Sequence, residues 1–367
     1  MRALKALILC CFISISGNTC AGELNLIQVI FRHGDRTPNG QLVSYYPADP
    51  YANETWYPDG WVSLTNVGKR RAYDLGVFLR ERYGNWLGDV YLKDEVEFRS
   101  STYDRTMMTA QLVAAGLFPP SEIQRWHPEL NWQPIPVFSD PKSTADLYDT
   151  RNTCQRLEAM RDELTRTDPH LLQRAEESKE FYDFLTPHVG KTVGQLETWA
   201  TYHQLLSQSH GNLKLPEWTT GIFPEGQMER IAAYQYVIES YNKSMIQLGG
   251  GRWVNDWLKN VDNYLNETSG SQQKALFYAA HETNIASILV ALGVFEEHVP
   301  SYCSTIIFEL SKVEEEYYVK VSYKDGDVLQ ELVIPGCEVS NCPLETFRQM
   351  VKDAIYTGDL EMACRLN

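Results

Sequence analysis

The first strong pattern along the chain is an apolar run at residues 24–31, LNLIQVIF, which Gln28 interrupts. A short run of this composition is typical of a strand that is buried on both faces of a parallel sheet. It leads directly into the polar motif RHGDRTP at 32–38. The pattern therefore predicts an interior strand that delivers a charged loop to the end of a sheet.

Helices and further strands follow along the chain. Thr65 is a candidate N-cap of a helix, and Gly84 is the candidate end of that helix. A short strand, VEFR, precedes a helix that two prolines end, and KALFYAA is a strand that precedes another helix. Near the end, STIIFEL, YYVKVSY and LQELVI are predicted strands, the last two joined as a hairpin through residues 324–326.

The alternation of strands and helices is interrupted between residues 121 and 270, where mixed-charge segments indicate amphipathic helices. We therefore expect an α/β domain with a mainly parallel sheet flanked by helices, formed by residues 22–120 and 271–367. Residues 121–270 are predicted to form a mainly helical insertion, or cap, domain.

Residues 1–21 have the layout of a cleaved secretory signal peptide, with basic residues, an apolar run and then small residues. No later stretch approaches about 20 uninterrupted apolar residues, so no membrane span is predicted. N-glycosylation sequons at Asn53, Asn242 and Asn266 agree with secretion. We expect a secreted, extracellular protein, with a lysosomal location less favoured.

The formal net charge of −15 at pH 7 argues against nucleic acid and other polyanions as partners. In the oxidising compartment that secretion implies, the cysteines are expected to form disulfides rather than metal sites. Cys337 and Cys342 are close enough for a local disulfide, which leaves one thiol unpaired among Cys154, Cys303 and Cys364. Cys20 is ambiguous, because cleavage of the signal can fall on either side of it.

Polar groups follow three predicted strand ends, in RHG, in RSS and in AHE. Because the carboxyl ends of parallel strands form the ligand crevice of an open α/β sheet, we expect these groups to converge. The side chains concerned are Arg32, His33, Arg36, Arg99, His281 and Glu282.

These residue types suit phosphoryl transfer. Guanidinium groups bind phosphate oxygens bidentately, and a neutral imidazole can accept the phosphoryl group covalently. His33 is the candidate nucleophile. Glu282 is the candidate acid that protonates the leaving oxygen and then the base that activates water. No metal or cofactor is required, because the arginines supply the positive charge.

The motifs RHGDRTP, RSSTYDRTMMTA and AHETN together resemble the histidine acid phosphatases of the prostatic, lysosomal and secreted venom type. The similarity extends to WQPIPV, LPEW and PGCEVSNCPLETF, and so covers nearly the whole mature chain. The resemblance implies the histidine phosphatase fold, a phosphohistidine intermediate, hydrolysis of small phosphomonoesters at acidic pH and a possible homodimer. It assigns the phosphate to Arg32, Arg36, Arg99 and His281.

Glu282 departs from this family, which usually has aspartate at the position of the proton donor. The added methylene moves the carboxyl by ~1.5 Å, and a misplacement of this size can cost about 100-fold in rate. The alternative is therefore a catalytically weak or inactive secreted protein that binds small aromatic, amine or lipid-like ligands.

The family resemblance also concerns the disulfides. Members of the prostatic type have a cysteine in the helical region that pairs near the position of Cys303, and this chain has none there. The resemblance therefore implies an unpaired Cys303 and a Cys154–Cys364 disulfide.

The other polar residues have structural interpretations. Asp35 is interpreted as holding its loop through hydrogen bonds to backbone or to an arginine, and Asp104 with Arg105 as an ion pair or a helix start. The aromatic residues at 45–61 can line a pocket mouth or simply pack. Surface or core positions are predicted for His127, His188, His203 and His210.

Overall fold

The computed structural model describes residues 22–140, 142–143, 146–266 and 273–366. The predicted signal peptide at 1–21 and Cys20 lie outside the described residues. So do the two residues that follow Asn266 in its sequon. No helix within the described ranges is long and apolar enough to cross a membrane.

The described strands form one mixed sheet in the order β3-β2-β4-β1-β5-β6-β7, and β8 pairs with β6. The strands are β1 (Glu23–Arg32), β2 (Val96–Ser100), β3 (Val137–Phe138), β4 (Ala275–Ala280), β5 (Thr305–Val313), β6 (Glu316–Asp325), β7 (Val328–Leu332) and β8 (Asn341–Pro343). The four strands from β3 to β1 are parallel, and those from β5 onward are antiparallel to their neighbours. The predicted α/β class and the hairpin of β6 and β7 are confirmed.

Helices flank both faces of this sheet. They are α1 (Asn66–Leu87), α2 (Asp104–Leu117), α3 (Thr150–Thr153), α4 (Gln155–Thr167), α5 (Pro169–Glu177), α6 (Lys179–Val189), α7 (Gln195–His210), α8 (Gln227–Glu239), α9 (Lys243–Leu248), α10 (Gly250–Leu265), α11 (Glu282–Ala291), α12 (Leu344–Val351) and α13 (Leu360–Cys364). Short 3-10 turns lie at Gly40–Tyr45, Glu122–Gln124, Glu217–Thr219 and Lys352–Ala354.

The ends of α1 show why local sequence defines a helix start better than a helix end. The Thr65 hydroxyl accepts a hydrogen bond from Gly68 N at 3.1 Å, so the predicted N-cap is confirmed. The predicted end at Gly84 is wrong. The helix continues to Leu87, which is buried, and ends at Gly88 with a φ of +80°. The free energy gained by burying the last turn is larger than the cost of Gly84 inside the helix, which is about 1 kcal/mol.

Two apolar cores lie on opposite faces of the sheet. One packs Val29, Phe31 and Phe98 against α1 and α2, and the other packs Ile30 and the tryptophans of α10 against the opposite face. β1 is therefore buried on both faces, as its apolar run predicts. Its interrupting Gln28 is buried and accepts a hydrogen bond from Asn260 of α10 at 2.8 Å.

The region 121–270 contains more than a separate helical cap. Its helices α6, α7 and α8 share a third apolar core, to which Leu42, Tyr46 and Ala286 from outside the region also contribute. However, α10 covers one face of the sheet, and β3 extends the edge of the sheet next to β2. Disulfides join Cys154 with Cys364 and Cys337 with Cys342, whereas Cys303 is unpaired and buried.

Candidate active site

Three parallel strands end side by side where the site is formed. Phe31 of β1 and Ser100 of β2 both lie opposite Ala279 of β4 in the sheet register. His33 N, just beyond β1, donates a hydrogen bond to Ala280 O at 3.0 Å. The segments that follow these strands are thus held at one edge of the sheet, as expected for parallel strands.

The His33 imidazole is 1% exposed and has a defined tautomer. Its Nδ1 lies 2.8 Å from Gly34 O, and because a carbonyl only accepts, Nδ1 carries the hydrogen. Burial lowers the pKa of His33 well below 6.5, and the nearby Arg105 and Arg32 lower it further. His33 is therefore a neutral imidazole whose unprotonated Nε2 is available as a nucleophile.

Arg32 lies fully buried beside this nitrogen. Its Nη1 donates to Pro300 O at 2.6 Å, and its guanidinium lies 4.1 Å above the ring of Tyr302. Among the described residues, no group accepts a hydrogen bond from Nη2, and Nε has only the ion-pair contact with Glu282 described below. Buried donors without acceptors are costly, so these atoms favour an oxyanion ligand.

Glu282 occupies the position of such an anion. Its Oε2 lies 3.1 Å from Arg32 Nε and 4.0 Å from His33 Nε2, and its side chain is 12% exposed. Burial acts to raise the pKa of Glu282, but the Arg32 guanidinium outweighs it and holds the pKa well below its usual range. The carboxylate is therefore ionised in the unliganded site.

Arg36 and His281 complete the positions predicted from the motifs. Arg36 is buried and donates from Nη1 to Ser207 Oγ at 3.1 Å. His281 caps α11, with its Nε2 3.0 Å from Ser101 Oγ. Burial and Arg105 lower the pKa of His281 to about 3, so this imidazole is also neutral.

Arg99 does not converge with these residues. Its side chain pairs with Glu97 and Asp140 and lines a separate cavity of about 590 Å³ beside α10. The reason is the alternation of side chains along β2, because Phe98 points into the core under α1 and α2 and Arg99 points to the opposite face.

Arg105, in the first turn of α2, takes the place expected of Arg99. Its Nη2 lies 3.5 Å from His281 Nδ1, and its guanidinium lies 4.5 Å above the ring of Tyr103. No described residue accepts a hydrogen bond from its Nε. The predicted helix start at Asp104 and Arg105 is confirmed. That interpretation nevertheless missed the position of Arg105 in the site, although its place directly after a strand end was a usable signal.

A cavity of about 630 Å³ opens above these residues. Arg105, His281 and Glu282 line its floor, and Trp61 and Tyr103 line its wall. The aromatic loop therefore serves both predicted purposes: Trp61 faces the cavity, and Trp56 packs on it at 5.6 Å between ring centroids.

The profile of the histidine phosphatase superfamily (branch 2) matches residues 23–324. The chain belongs to this family. Similar relatives include the venom acid phosphatase of Apis mellifera, 38% identical over 93% of this chain and 88% of that protein. The prostatic acid phosphatase of Bos taurus is 32% identical over 99% of this chain and 93% of its own. The lysosomal acid phosphatase of Homo sapiens is 32% identical, over 99% and 85%.

Solved structures agree with this histidine phosphatase in fold. Hafnia alvei phytase in complex with tartrate has a TM-score of 0.67 at 18% identity, covering 95% of this chain and all of its own. Klebsiella phytase has a TM-score of 0.65 at 16% identity, covering 94% and 99%. At these identities the likeness concerns the fold alone.

Four of the six other histidines of this histidine phosphatase, those predicted to take surface or core positions, differ in their surroundings. His203 is buried in the core of the helical region, His188 stacks on Trp218, and His127 is exposed. His210 instead bonds to Asp35 inside the RHGDRTP loop. Its partner is 175 residues away in sequence, so no local spacing could have indicated the pair.

Proposed function

We propose that this histidine phosphatase hydrolyses small phosphomonoesters through a phosphohistidine intermediate on His33. The observation that carries the proposal is the neutral His33 imidazole. Its Nε2 lies 4.0 Å from the Glu282 carboxylate and beside Arg32, whose Nη2 has no acceptor among the described residues. Acid phosphatases among its relatives support the same chemistry.

In the first step, the lone pair of His33 Nε2 forms a bond to phosphorus, and the bond from phosphorus to the leaving oxygen breaks. Protonated Glu282 gives its proton to that oxygen, so the alcohol leaves uncharged. In the second step the Glu282 carboxylate takes a proton from water, whose oxygen attacks phosphorus. The phosphorus–nitrogen bond breaks and inorganic phosphate is released.

Arg32, Arg36 and Arg105 bind the negatively charged phosphoryl oxygens in this proposal, with His281 beside them. Arg105 replaces Arg99 in this set, because Arg99 is already paired with Glu97 and Asp140 in another cavity. Three guanidinium groups around one phosphoryl group supply the positive charge that metal ions supply in other phosphotransfer enzymes.

Glu282 has to be protonated before it can act as an acid, and in the unliganded site it is paired with Arg32. A bound phosphoryl group competes for the same guanidinium. The carboxyl then loses its cationic partner and faces a second anion, and both changes raise its pKa. Binding of substrate at acidic pH is therefore what prepares the proton donor.

The test is hydrolysis of an aryl phosphate near pH 5 by wild type and by His33→Ala. Wild type is expected to turn over and, after an alkaline quench, to retain label from a radioactive phosphoryl group. His33→Ala is expected to do neither. Wild-type activity no higher than that of His33→Ala would overturn the proposal and favour the alternative of a ligand-binding protein with little or no turnover.

We further infer secretion and N-glycosylation. The layout of residues 1–21 supports the first. For the second, Asn53 and Asn266 are exposed, and Asn242 is half-buried at the N-cap of α9. Recovery of the protein from culture medium, with a mass that falls on treatment with an N-glycosidase, is the expected result.

A homodimer through the β3 edge is also proposed. β3 lies at the end of the described sheet. Phe138 within it, and Trp126 and Trp132 in the segment that precedes it, are 40–56% exposed. Exposed aromatic side chains next to an open strand edge are typical of an interaction surface. Sedimentation of wild type and of Trp126→Ser with Phe138→Ser tests this, and a wild-type monomer would contradict it.

A further inference from the structure

The side chain of Asp35, inside the RHGDRTP loop, is clamped from two directions. Arg71 of α1 contacts it with Nε at 2.7 Å and Nη2 at 3.4 Å. His210, the last residue of α7, lies with its Nδ1 2.5 Å from Oδ1, the oxygen that Arg71 Nη2 also contacts. The Asp35 side chain is 1% exposed, so these two cationic or donor groups are what compensates its burial.

The backbone of Asp35 is fixed by hydrogen bonds and by close packing against α1. Its carbonyl accepts hydrogen bonds from Thr65 N at 2.9 Å and from Thr65 Oγ1 at 3.2 Å. The first turn of α1 lies directly against it, because a Cβ on Gly68 would lie only 2.2 Å from that carbonyl oxygen. The loop therefore has little freedom at this residue.

Asp35 connects to the nucleophile through a single peptide group. The nitrogen of Asp35 and the carbonyl of Gly34 belong to the same plane, and that carbonyl accepts the hydrogen of His33 Nδ1 at 2.8 Å. Rotation of this plane would move the acceptor away from Nδ1. The proton could then reside on Nε2, which would remove the nucleophilic lone pair.

We propose that His210 and Arg71, acting through Asp35, are positioning residues that fix the Gly34–Asp35 peptide and thereby keep Nε2 of His33 unprotonated. The proposal rests on the proposed function of His33 as the nucleophile. It assigns a role to the last turn of a helix in the predicted insertion region, far in sequence from the motif that it supports.

The same turn of α7 touches the phosphate site at two more points. The His210 ring lies 5.3 Å from the ring of Tyr302, which in turn lies under Arg32. Ser207, one turn earlier, accepts from Arg36 and contacts the Tyr302 hydroxyl at 3.2 Å. α7 therefore supports the nucleophile loop and the phosphate-binding arginines together.

The first test compares His210→Ala with His210→Asn, whose amide can donate from about the position of Nδ1. His210→Ala is expected to lower kcat about 10- to 100-fold with little change in KM, because nucleophile alignment is lost and the arginines stay in place. His210→Asn is expected to restore most of kcat. His188→Ala, a second histidine in the last turn of a helix in this region, is the matched control and should behave as wild type.

The second test does not depend on activity. In ¹⁵N-histidine-labelled protein, the nitrogen shifts of His33 should show one tautomer, protonated at Nδ1, in wild type and a mixture in His210→Ala. An unchanged tautomer in His210→Ala would overturn the positioning proposal. So would a kcat loss that His210→Asn does not restore. If wild type instead shows the expected tautomer but no turnover above His33→Ala, the proposed function fails and the positioning proposal does not.

Discussion

Glu282 and Arg32 form a buried ion pair across the candidate phosphate pocket, with 3.1 Å between Oε2 and Nε. The Glu282 carboxylate therefore occupies the part of the Arg32 guanidinium that a phosphoryl group would bind. Ligand binding has to break this pair, and the freed carboxyl has a higher pKa than the paired one.

Binding of inorganic phosphate near pH 5 should consequently be coupled to proton uptake by Glu282. Calorimetry in two buffers with different heats of ionisation measures the number of protons taken up. Glu282→Gln, which has no group to protonate, should take up fewer protons than wild type under the same conditions. Equal uptake in the two proteins would contradict the displacement of Glu282 by phosphate.

Removal of the acid in Glu282→Gln should have an effect that depends on the leaving group. An alkyl phosphate needs a proton on its departing oxygen, so its kcat should fall by about 100-fold or more. A nitrophenyl phosphate leaves as a stable anion and should lose much less. Glu282→Asp keeps a carboxyl and should show a smaller difference between the two substrates than Glu282→Gln. A uniform loss on both substrates would argue against Glu282 as the proton donor.

Arg105 and Arg99 provide a matched pair of arginines that differ in location. Arg105→Gln should lower kcat/KM about 10- to 100-fold, because a charged hydrogen bond contributes about 1.5 to 3 kcal/mol. Arg99→Gln should stay close to wild type, since its side chain lies in a separate cavity with Glu97 and Asp140. Steady-state kinetics of both variants with one aryl phosphate measure the difference. A larger loss in Arg99→Gln than in Arg105→Gln would show that Arg99, and not Arg105, binds the phosphate.

The pH dependence of kcat/KM should reflect the lowered pKa of His33. Burial, with Arg105 and Arg32, holds this pKa well below 6.5, so the imidazole should stay neutral and nucleophilic at a pH just below 6.5, where an ordinary imidazole is already protonated. Loss of activity through protonation of His33 should begin only at still lower pH. A rate profile from pH 7 to 4 that declines with an apparent pKa near 6.5 would show that His33 titrates as an ordinary imidazole.

Two glycines of α1 should respond oppositely to alanine. A Cβ on Gly68 would lie 2.2 Å from the carbonyl oxygen of Asp35, which is backbone that cannot yield without moving the nucleophile loop. Gly68→Ala should cost about 1 to 3 kcal/mol of unfolding free energy and lower kcat.

In Gly84→Ala the new Cβ meets only the flexible Arg80 side chain at 3.2 Å. The gain in helix propensity, up to about 1 kcal/mol, should leave stability unchanged or higher. Thermal unfolding and kinetics of both variants measure the difference.

Local sequence patterns predicted much of the fold. The apolar run of β1, the cap at Thr65 and the hairpin of β6 and β7 depend on neighbours within a few residues. Side-chain periodicity and capping act over that range, and so they can be interpreted without knowing what packs against them. The motif around His33 is local in the same sense, because one strand end and one loop contain it.

The tertiary structure decided which distant side chains complete the site. Arg99 lies on the face of β2 that points away from the site, and the alternation of apolar and charged residues in VEFR already indicated this. Arg105, in contrast, reaches His281 only because α2 packs against the sheet. The contact of His210 with Asp35 and the pairing of Glu282 with Arg32 join residues that are more than 170 positions apart. Such contacts depend on how helices pack on the sheet, and no spacing within the sequence encodes that packing.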